Sequence, residues 1–192
     1  MLENLSKFEI ILASQSPRRQ NLLRELGFNF KIVNKAIEEN YPSTLKNEDI
    51  ALFLAELKAK NHETDLDGNY LLITADTIVC LENEIIGKPK DKTDAINILS
   101  KLSGKMHTVL TGVCISTRNK RESFLAKTNV FFKDLSQSEI SFYIEKYKPY
   151  DKAGAYGIQE WIGYIGIEKI EGSYFNVMGL PIQRLYEELR MF

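Results

Sequence analysis

Strand signals and helix signals alternate along this chain, and that order constrains the fold more than any other feature. Apolar, β-branched runs predict strands at Phe8–Ala13, Phe28–Val33 and Tyr70–Glu82, with helical patterns between them. Two later runs, Thr108–Thr117 and Glu122–Phe132, are separated only by a short charged turn, which predicts paired strands. Strands joined by helices and strands joined by hairpins together predict an α/β fold with a mixed sheet.

Capping signals set the boundaries of the predicted helices. Ser16 and Pro17 suit the N-cap and first turn of a helix that stops at Gly27. Residues 136–139 fit a capping box for a helix that runs to about residue 148. Further helices are predicted at 47–62, 91–102 and 181–190. Residues 83–86 are predicted as a short return strand, and residues 151–170 as a loop leading into a strand.

Length and composition are those of one soluble globular domain. The chain has 192 residues, of which 44% are hydrophobic and 27% charged, which excludes intrinsic disorder and collagen-like repeats. Its 25 Lys and Arg nearly balance 26 Asp and Glu, whereas proteins whose main partner is nucleic acid usually carry a basic excess. We therefore predict a single domain over residues 1–192 and no nucleic-acid partner.

Cysteine placement and the absence of membrane signals predict the location. Cys80 and Cys114 both lie in apolar, strand-like runs, which favours buried reduced thiols and a reducing compartment. Charged residues interrupt the N-terminal apolar residues before a signal peptide forms, and no stretch reaches the ~20 apolar residues of a membrane span. We predict a soluble, cytoplasmic protein without a membrane partner.

The first candidate site is the strand–helix junction at residues 14–19. Ser14, Ser16 and the amides of the first helical turn lie beside Arg18 and Arg19. Helix N-termini bind anions, and arginine forks match phosphate oxygens two at a time. The alternative is a capped helix with two solvated arginines. We favour a phosphate site, because cations at a helix N-terminus oppose the dipole unless an anion offsets them.

The second candidate is Asp76, which interrupts the apolar run Leu71–Val79. In a central strand its carboxylate is desolvated at a large free-energy cost unless it is paired or binds a metal. Period-2 alternation places Asp76 and Thr74 on one face of the strand and Thr77 on the other. The alternatives are an edge-strand charge and a strand-end Asp that caps a turn. No turn signal lies nearby, so a functional carboxylate is favoured.

Two lysines are weaker candidates. Lys88 stands in Gly87–Pro89, a common loop tripeptide that lacks the Gly-rich spacing of a P-loop. Lys58 borders the apolar face of the helix at 47–62, where a lysine usually only extends its amine into solvent. Neither indicates a site by itself.

Glu38–Glu39 and the segment Asp151–Gln159 complete the candidates. Loop carboxylates are usually solvated, but two together could supply oxygen ligands to a metal with Asp76. Small residues at 153–155 and 157 permit close approach of backbone to a ligand. The Gln159 amide carries a donor and an acceptor that can read a base edge. The alternative, a glycine-rich connector, is not excluded by this segment alone.

Together the candidates supply hydrogen-bond donors for phosphate, a carboxylate for a metal ion, two lysines and a side-chain amide that can recognise a base. With two histidines and no close Cys/His spacing, zinc is disfavoured, and a hard ion such as Mg²⁺ held by oxygen fits better. This inventory describes metal-assisted attack on a phosphoanhydride, in which cations neutralise the charge that develops on the phosphates.

Several motifs occur in a set order: Leu12–Arg19, Ala75–Thr77, Gly87–Pro89, Lys152–Gln159 and Gly172–Pro181. In this combination the chain resembles the Maf family of nucleoside triphosphate pyrophosphatases over nearly its whole length. The resemblance implies a fold like that of inosine triphosphate pyrophosphatase, with two lobes around a central cleft, in a protein that is often dimeric. It also implies hydrolysis of a nucleoside triphosphate to the monophosphate and pyrophosphate with a divalent cation, Mg²⁺ or Mn²⁺.

The resemblance implies roles for individual residues. Asp76 matches the family's proposed general base, and Glu39 matches its acidic loop position, so both are implied metal ligands. The implied phosphate-binding residues, of which the two lysines are assigned to catalysis, are Ser14, Arg18, Arg19, Lys58 and Lys88. The positions that mark selectivity for dTTP and UTP, and with them C5-modified pyrimidine triphosphates, fall on Arg18, Thr77 and Gln159.

One residue departs from the family pattern. Glu160 stands where the family commonly has Gly, and a negative side chain there could alter the base pocket or a loop over it. Two alternatives stay open for the function. One is the related subfamily that acts on 7-methylguanosine triphosphate, whose pattern lacks the Gln-terminated segment. The other is a non-catalytic nucleotide-binding regulator of cell division.

Overall fold

The computed structural model describes residues 2–192. Its strands are β1 (Glu9–Ala13), β2 (Lys31–Val33), β3 (Tyr70–Leu81), β4 (Glu84–Ile86), β5 (Met106–Ser116), β6 (Arg121–Phe132) and β7 (Ile167–Glu171). Its helices are α1 (Pro17–Glu25), α2 (Asn47–Glu63), α3 (Lys92–Leu102), α4 (Gln137–Tyr147), α5 (Trp161–Gly166), α6 (Tyr174–Val177) and α7 (Ile182–Met191). Single 3-10 turns lie at Glu3–Leu5 and Ala153–Ala155. The predicted α/β class is confirmed.

The strands form one mixed sheet in the order β2-β1-β3-β5-β6-β7, and β4 pairs with β3. β1 is parallel to both β2 and β3, with Ile11 opposite Lys31 and Leu72. β4 is antiparallel to β3, and β7 is antiparallel to β6. Parallel neighbours need crossover connections, which α1 and α2 supply. Because β3 lies between β1 and β5, the edge-strand explanation of Asp76 is wrong.

The chain folds as two compact units. The first comprises the described residues up to Asp76 together with Thr111–Ala126 and Gly179–Phe192, and the second comprises Thr77–Leu110 and Lys127–Met178. Strands β3, β5 and β6 each contribute residues to both units. The cleft and the single domain that the sequence indicates stay predictions.

In the first unit, α2 packs closely on the sheet. Ala55 and Ala59 of α2 form a buried cluster with Leu72 of β3. Gly112 of β5 makes a close approach of α2 feasible, because a Cβ there would lie 2.2 Å from the Ala51 carbonyl oxygen. Small residues on both elements therefore set the height at which α2 crosses the sheet and presents its side chains to β3.

In the second unit, α3, α4 and α5 cover a separate apolar core. This core includes the fully buried side chains of Leu99, Ile140, Tyr143 and Ile162. Burial of each such side chain contributes roughly 1.5–3 kcal/mol relative to exposure. The second unit therefore has a core of its own on which the segment Lys152–Glu160 can be fixed.

Most predicted elements are confirmed with small shifts at their ends. Ser16 caps α1, and the capping box that joins Ser136 and Glu139 opens α4. Residues 28–30 do not join β2, which is a short strand paired with β1 alone. The prediction of a loop leading into a strand over 151–170 is wrong in part, because α5 precedes the strand β7. Two glycines lower the helix propensity of α5, and burial of Ile162 compensates for them.

Cys80 and Cys114 are buried free thiols, as predicted. In the part of the chain that the structure describes, no helix is long and apolar enough to span a bilayer.

Candidate active site

Asp76 lies on the face of β3 that packs against α2. Leu72 shares a buried cluster with Ala55, and the Thr74 hydroxyl donates a hydrogen bond to the Ala55 carbonyl at 2.7 Å. Strand alternation then directs Asp76 to the same side, where Lys58 of α2 contacts it. The face predicted for Thr74 and Asp76 is confirmed, and Asp76 lies within β3, not at a turn.

Lys58 bridges two carboxylates in what we call the Lys58 cluster: Lys58, Asp76 and Glu39. Its Nζ lies 2.5 Å from Asp76 Oδ1 and 2.7 Å from Glu39 Oε1. The side chains of Lys58 and Asp76 are 17% and 11% exposed, whereas that of Glu39 is 50% exposed. Removing one partner of a buried pair costs about 3–5 kcal/mol. Lys58 therefore offsets the charge of a desolvated carboxylate, and the simple interpretation of Lys58 as a solvated amine is wrong.

The Lys58 cluster contains carboxylate oxygens, the type of ligand that a hard divalent cation prefers. Within residues 2–192, no three His, Cys, Asp or Glu side chains converge on one point. Asp76 and Glu39 nevertheless both contact a single cationic atom, Lys58 Nζ. Mg²⁺ is usually bound through one or two carboxylates with phosphate oxygens and water as its other ligands. The two carboxylates fit such an ion.

Arg19 forms hydrogen bonds with two backbone carbonyls of the first unit. Its Nε donates to the Gly179 carbonyl at 2.7 Å and its Nη1 to the Ala75 carbonyl at 2.9 Å. Burial lowers the pKa of Arg19 from its ordinary value, and the charge of Asp76 opposes that shift. Because Ala75 directly precedes Asp76, Arg19 fixes the strand backbone at the carboxylate.

Short-range hydrogen bonds order the junction between β1 and α1. The buried Ser14 hydroxyl accepts from the Ser16 amide at 3.2 Å, and the Gln20 side chain donates to the Ser14 carbonyl at 3.0 Å. Arg18 is partly exposed, and its charge contributes to lowering the pKa of Arg19. Two guanidiniums thus lie at one helix N-terminus, where their mutual repulsion favours an anion.

The second unit contains the other predicted site residues, Thr77, Lys88 and Gln159. Lys88 is exposed and Thr77 is partly buried. The Gly154 amide donates to the Gly87 carbonyl at 3.1 Å. This bond joins the loop that carries Lys88 to the segment that carries Gln159.

Gln159 has a buried acceptor without a partner. Its Oε1 makes no hydrogen bond within residues 2–192, while its backbone carbonyl accepts from the Tyr164 hydroxyl at 2.7 Å. A buried polar atom left unsatisfied costs about 1–3 kcal/mol. Such an atom in a segment predicted to approach a ligand is a candidate for accepting a hydrogen bond from that ligand.

Glu160 contacts two side chains, Lys152 and Tyr143, that the sequence does not connect with it. Lys152 Nζ lies 3.1 Å from Glu160 Oε1, and the Tyr143 hydroxyl donates to Glu160 Oε2. Tyr143 lies on α4, and no local spacing connects it with Glu160. Lys152 stands in a motif that the sequence singled out, but its burial was not predicted.

Comparison with known proteins identifies the family. The model of the family described as Maf-like protein matches residues 9–192. This chain belongs to the Maf family. It is 56% identical over 191 residues to a dTTP/UTP pyrophosphatase of Phocaeicola vulgatus, with 99% of each chain covered. It is 51% identical over 191 residues to a dTTP/UTP pyrophosphatase of Bacteroides fragilis, again with 99% of each covered.

Solved structures extend the similarity at the level of the fold. The Ham1 protein of Staphylococcus aureus matches the Maf chain with a TM-score of 0.50 and 17% identity, covering 94% of this chain and 99% of its own. A HAM1 protein from Coxiella burnetii has the same TM-score and identity, covering 96% and 100%. These similarities concern the mixed α/β architecture alone.

Proposed function

We propose that this Maf-family protein hydrolyses dTTP and UTP, together with C5-modified pyrimidine triphosphates, to the nucleoside monophosphate and pyrophosphate. The Lys58 cluster carries the proposal, because it couples a desolvated carboxylate to a lysine at 2.5 Å. The names of the similar Phocaeicola vulgatus and Bacteroides fragilis proteins support the same substrates.

Asp76 is the general base. Its carboxylate accepts a proton from the attacking water while the bond between the α- and β-phosphates breaks and pyrophosphate leaves. Lys58 stabilises the negative charge that grows on the phosphate oxygens. The Arg19 bond to the Ala75 carbonyl holds the base in position, because proton transfer requires hydrogen-bond geometry.

Asp76 and Glu39 would hold the divalent cation, Mg²⁺ or Mn²⁺, together with phosphate oxygens and water. Such an ion, when bound, polarises phosphate oxygens and lowers the pKa of bound water. Lys58 Nζ contacts the same two carboxylates. Cation binding therefore competes with Lys58 for their oxygens.

The phosphate-binding groups are Ser14, Arg18, Arg19 and Lys88. The junction of β1 and α1 supplies amides and guanidiniums suited to phosphate. Arg19 donates hydrogen bonds from Nε and Nη1 to backbone carbonyls. It therefore fixes the backbone beside Asp76, and its charge neutralises the phosphates. Exposed Lys88 supplies a positive charge from its loop.

Gln159 reads the base. Its unpartnered Oε1 accepts a hydrogen bond from the imide N–H of uracil or thymine, and its amide donates to a neighbouring carbonyl. Cytosine lacks that N–H, so binding it leaves the buried acceptor unpaired, which weakens recognition. Thr77, which follows Asp76 on the other strand face, orients the wall of the base pocket.

Pyrophosphate release from a panel of dTTP, UTP, CTP, GTP and 7-methylguanosine triphosphate with Mg²⁺ tests the proposal. We expect cleavage of dTTP and UTP well above the others. Preference for 7-methylguanosine triphosphate would support the related subfamily, and tight binding without release would support the regulator. The cytoplasmic location, the homodimer and the lack of nucleic-acid or membrane partners stay predictions.

A further inference from the structure

Three hydrogen-bonding residues of the second unit enclose the turn that carries Gln159. We call them the Glu160 network: Tyr143, Lys152 and Glu160. Tyr143 donates its hydroxyl proton to Glu160 Oε2 and accepts from the Gly157 amide at 3.0 Å. The Glu160 amide donates to the Gly157 carbonyl at 2.9 Å. Both ends of the turn at 157–160 are therefore restrained through one tyrosine.

The network is buried. The Lys152 and Glu160 side chains are 9% and 18% exposed, and Tyr143 is fully buried. Burial, followed by the hydrogen bond and charge of Glu160, raises the pKa of Tyr143, so the phenol keeps its proton and donates it. Each Glu160 oxygen has a partner, since Oε1 forms an ion pair with Lys152 and Oε2 accepts a hydrogen bond from Tyr143.

Gly157 is matched to Glu160. A Cβ at Gly157 would lie 2.8 Å from the Glu160 carboxyl carbon and 3.0 Å from its Oε2. A side chain at 157 would therefore displace the Glu160 carboxylate from its present place against the turn. This close contact depends on the glutamate at 160, whose carboxyl atoms are the three nearest to the Gly157 Cβ position.

We propose that Glu160 is a positioning residue for base recognition, which fixes the backbone of Gln159 through Tyr143 and Lys152 without touching the nucleotide. The inference rests on the proposed role of Gln159. The Gln159 side chain has three rotatable bonds, so the placement of its Oε1 depends on a fixed backbone. The Tyr164 bond to the Gln159 carbonyl adds a further restraint. Since both Glu160 oxygens are occupied, its charge is not directed at the base.

Two readouts test the proposal in the full-length protein. One is the ratio of kcat/KM for UTP to that for CTP, and the other is amide hydrogen exchange of residues 156–160. The variants are Glu160→Ala, Tyr143→Phe and Glu160→Gln. The matched control is Glu145→Gln, which removes an exposed glutamate of α4 that pairs with Lys92.

We expect Glu160→Ala and Tyr143→Phe to lower the UTP to CTP ratio by ~10-fold, about the effect of one lost hydrogen bond. The loss should lie in KM for UTP more than in kcat, and exchange at 156–160 should accelerate. Glu160→Gln keeps an acceptor for Tyr143 and should restore part of the ratio. Glu145→Gln should match the wild type in both readouts.

The outcomes separate the two proposals. If Gln159→Ala lowers the ratio while Tyr143→Phe and Glu160→Ala keep it, the positioning role is wrong and the proposed base reading stands. Lost thermal stability with an unchanged ratio would likewise overturn it, since the network would then be structural only. If the wild type itself cleaves CTP as well as UTP, the base assignment fails and the positioning role with it.

Discussion

Each unit of this Maf protein contains a lysine that lies between two carboxylates. The two sets are Lys58 with Asp76 and Glu39 in the first unit, and Lys152 with Asp151 and Glu160 in the second. In both, one carboxylate is largely buried and the other is at least half exposed. The pairing pattern is therefore the same, and it does not by itself indicate which set takes part in chemistry.

The difference lies in the other partners of the buried carboxylate. Glu160 Oε1 forms an ion pair with Lys152 at 3.1 Å, and Oε2 accepts a hydrogen bond from Tyr143, so both its oxygens have a partner. Within residues 2–192, Lys58 is the one side chain that donates a hydrogen bond to Asp76. A carboxylate held by a single lysine retains capacity for a cation or a water, whereas a fully bonded one is a structural support. The number of carboxylate oxygens that have a partner therefore distinguishes the Asp76 ion pair, which can react, from the Glu160 ion pair, which positions the turn.

The largest expected effect is on Asp76. Asp76→Asn keeps the shape but removes the base and a metal ligand, so kcat for UTP should fall by ~10²-fold or more. The matched control, Asp151→Asn, removes the exposed carboxylate of the other set and should leave kcat nearly unchanged. Near wild-type turnover in Asp76→Asn would falsify the assignment.

A smaller loss is expected for Arg19→Lys. Lysine keeps the charge but lacks the fork that reaches the Ala75 and Gly179 carbonyls. We expect kcat/KM to fall by about 10-fold or more, as two hydrogen bonds are lost or weakened. Arg24→Lys on the exposed side of the same helix is the control. Equal kinetics in the two variants would show that the Arg19 guanidinium is not needed for catalysis.

Gln159→Ala should act on selectivity instead of turnover. Removing the unpaired acceptor should narrow the UTP preference over CTP by ~10-fold while pyrophosphate is still released. Competition between UTP and CTP in one reaction gives the ratio directly. An unchanged ratio would move base recognition to other residues.

The smallest effect is expected for a partly exposed lysine–carboxylate pair, Lys133 and Glu139. The hydrogen bond from Lys133 and the capping-box amide of Ser136 lower the pKa of Glu139 to about 2. A carboxyl whose folded pKa is lowered stabilises the fold above its unfolded pKa, and this is lost as pH falls from about 4.5 to about 2. Glu139→Gln keeps a capping side chain without titrating. Between these pH values, the free energy of unfolding measured with denaturant should change less in Glu139→Gln than in the wild type, by less than about 1 kcal/mol. The same pH dependence in both proteins would contradict the pairing.

Local signals made part of this molecule predictable. Ser16 and Pro17 set the start of α1, and alternation along β3 placed Asp76 on the face of Thr74 because both depend on short-range geometry. The partners of these residues depend on packing. Lys58 reaches Asp76 because α2 crosses β3 at a height set by Gly112 and its neighbours, which no spacing along the sequence reveals.

Two further contacts were not predictable for the same reason. Glu39 belongs to a segment without regular structure, so no periodicity determines its direction toward Lys58. Tyr143 reads as an ordinary core residue of an amphipathic helix, and its bond to Glu160 depends on how α4 packs over the turn at 157–160. The motif residues were recognisable, and the side chains that hold them were not.

The most direct test of the difference between the Lys58 set and the Lys152 set is a Mn²⁺ titration. Binding is followed by electron paramagnetic resonance in the presence of a non-hydrolysable UTP analogue. We expect Asp76→Asn to weaken Mn²⁺ binding by ~10-fold or more, since loss of one ligand oxygen and its charge removes a strong interaction. We expect Asp151→Asn to bind Mn²⁺ as the wild type does. Equal affinity in Asp76→Asn and wild type, or a loss confined to Asp151→Asn, would contradict this difference between the two sets.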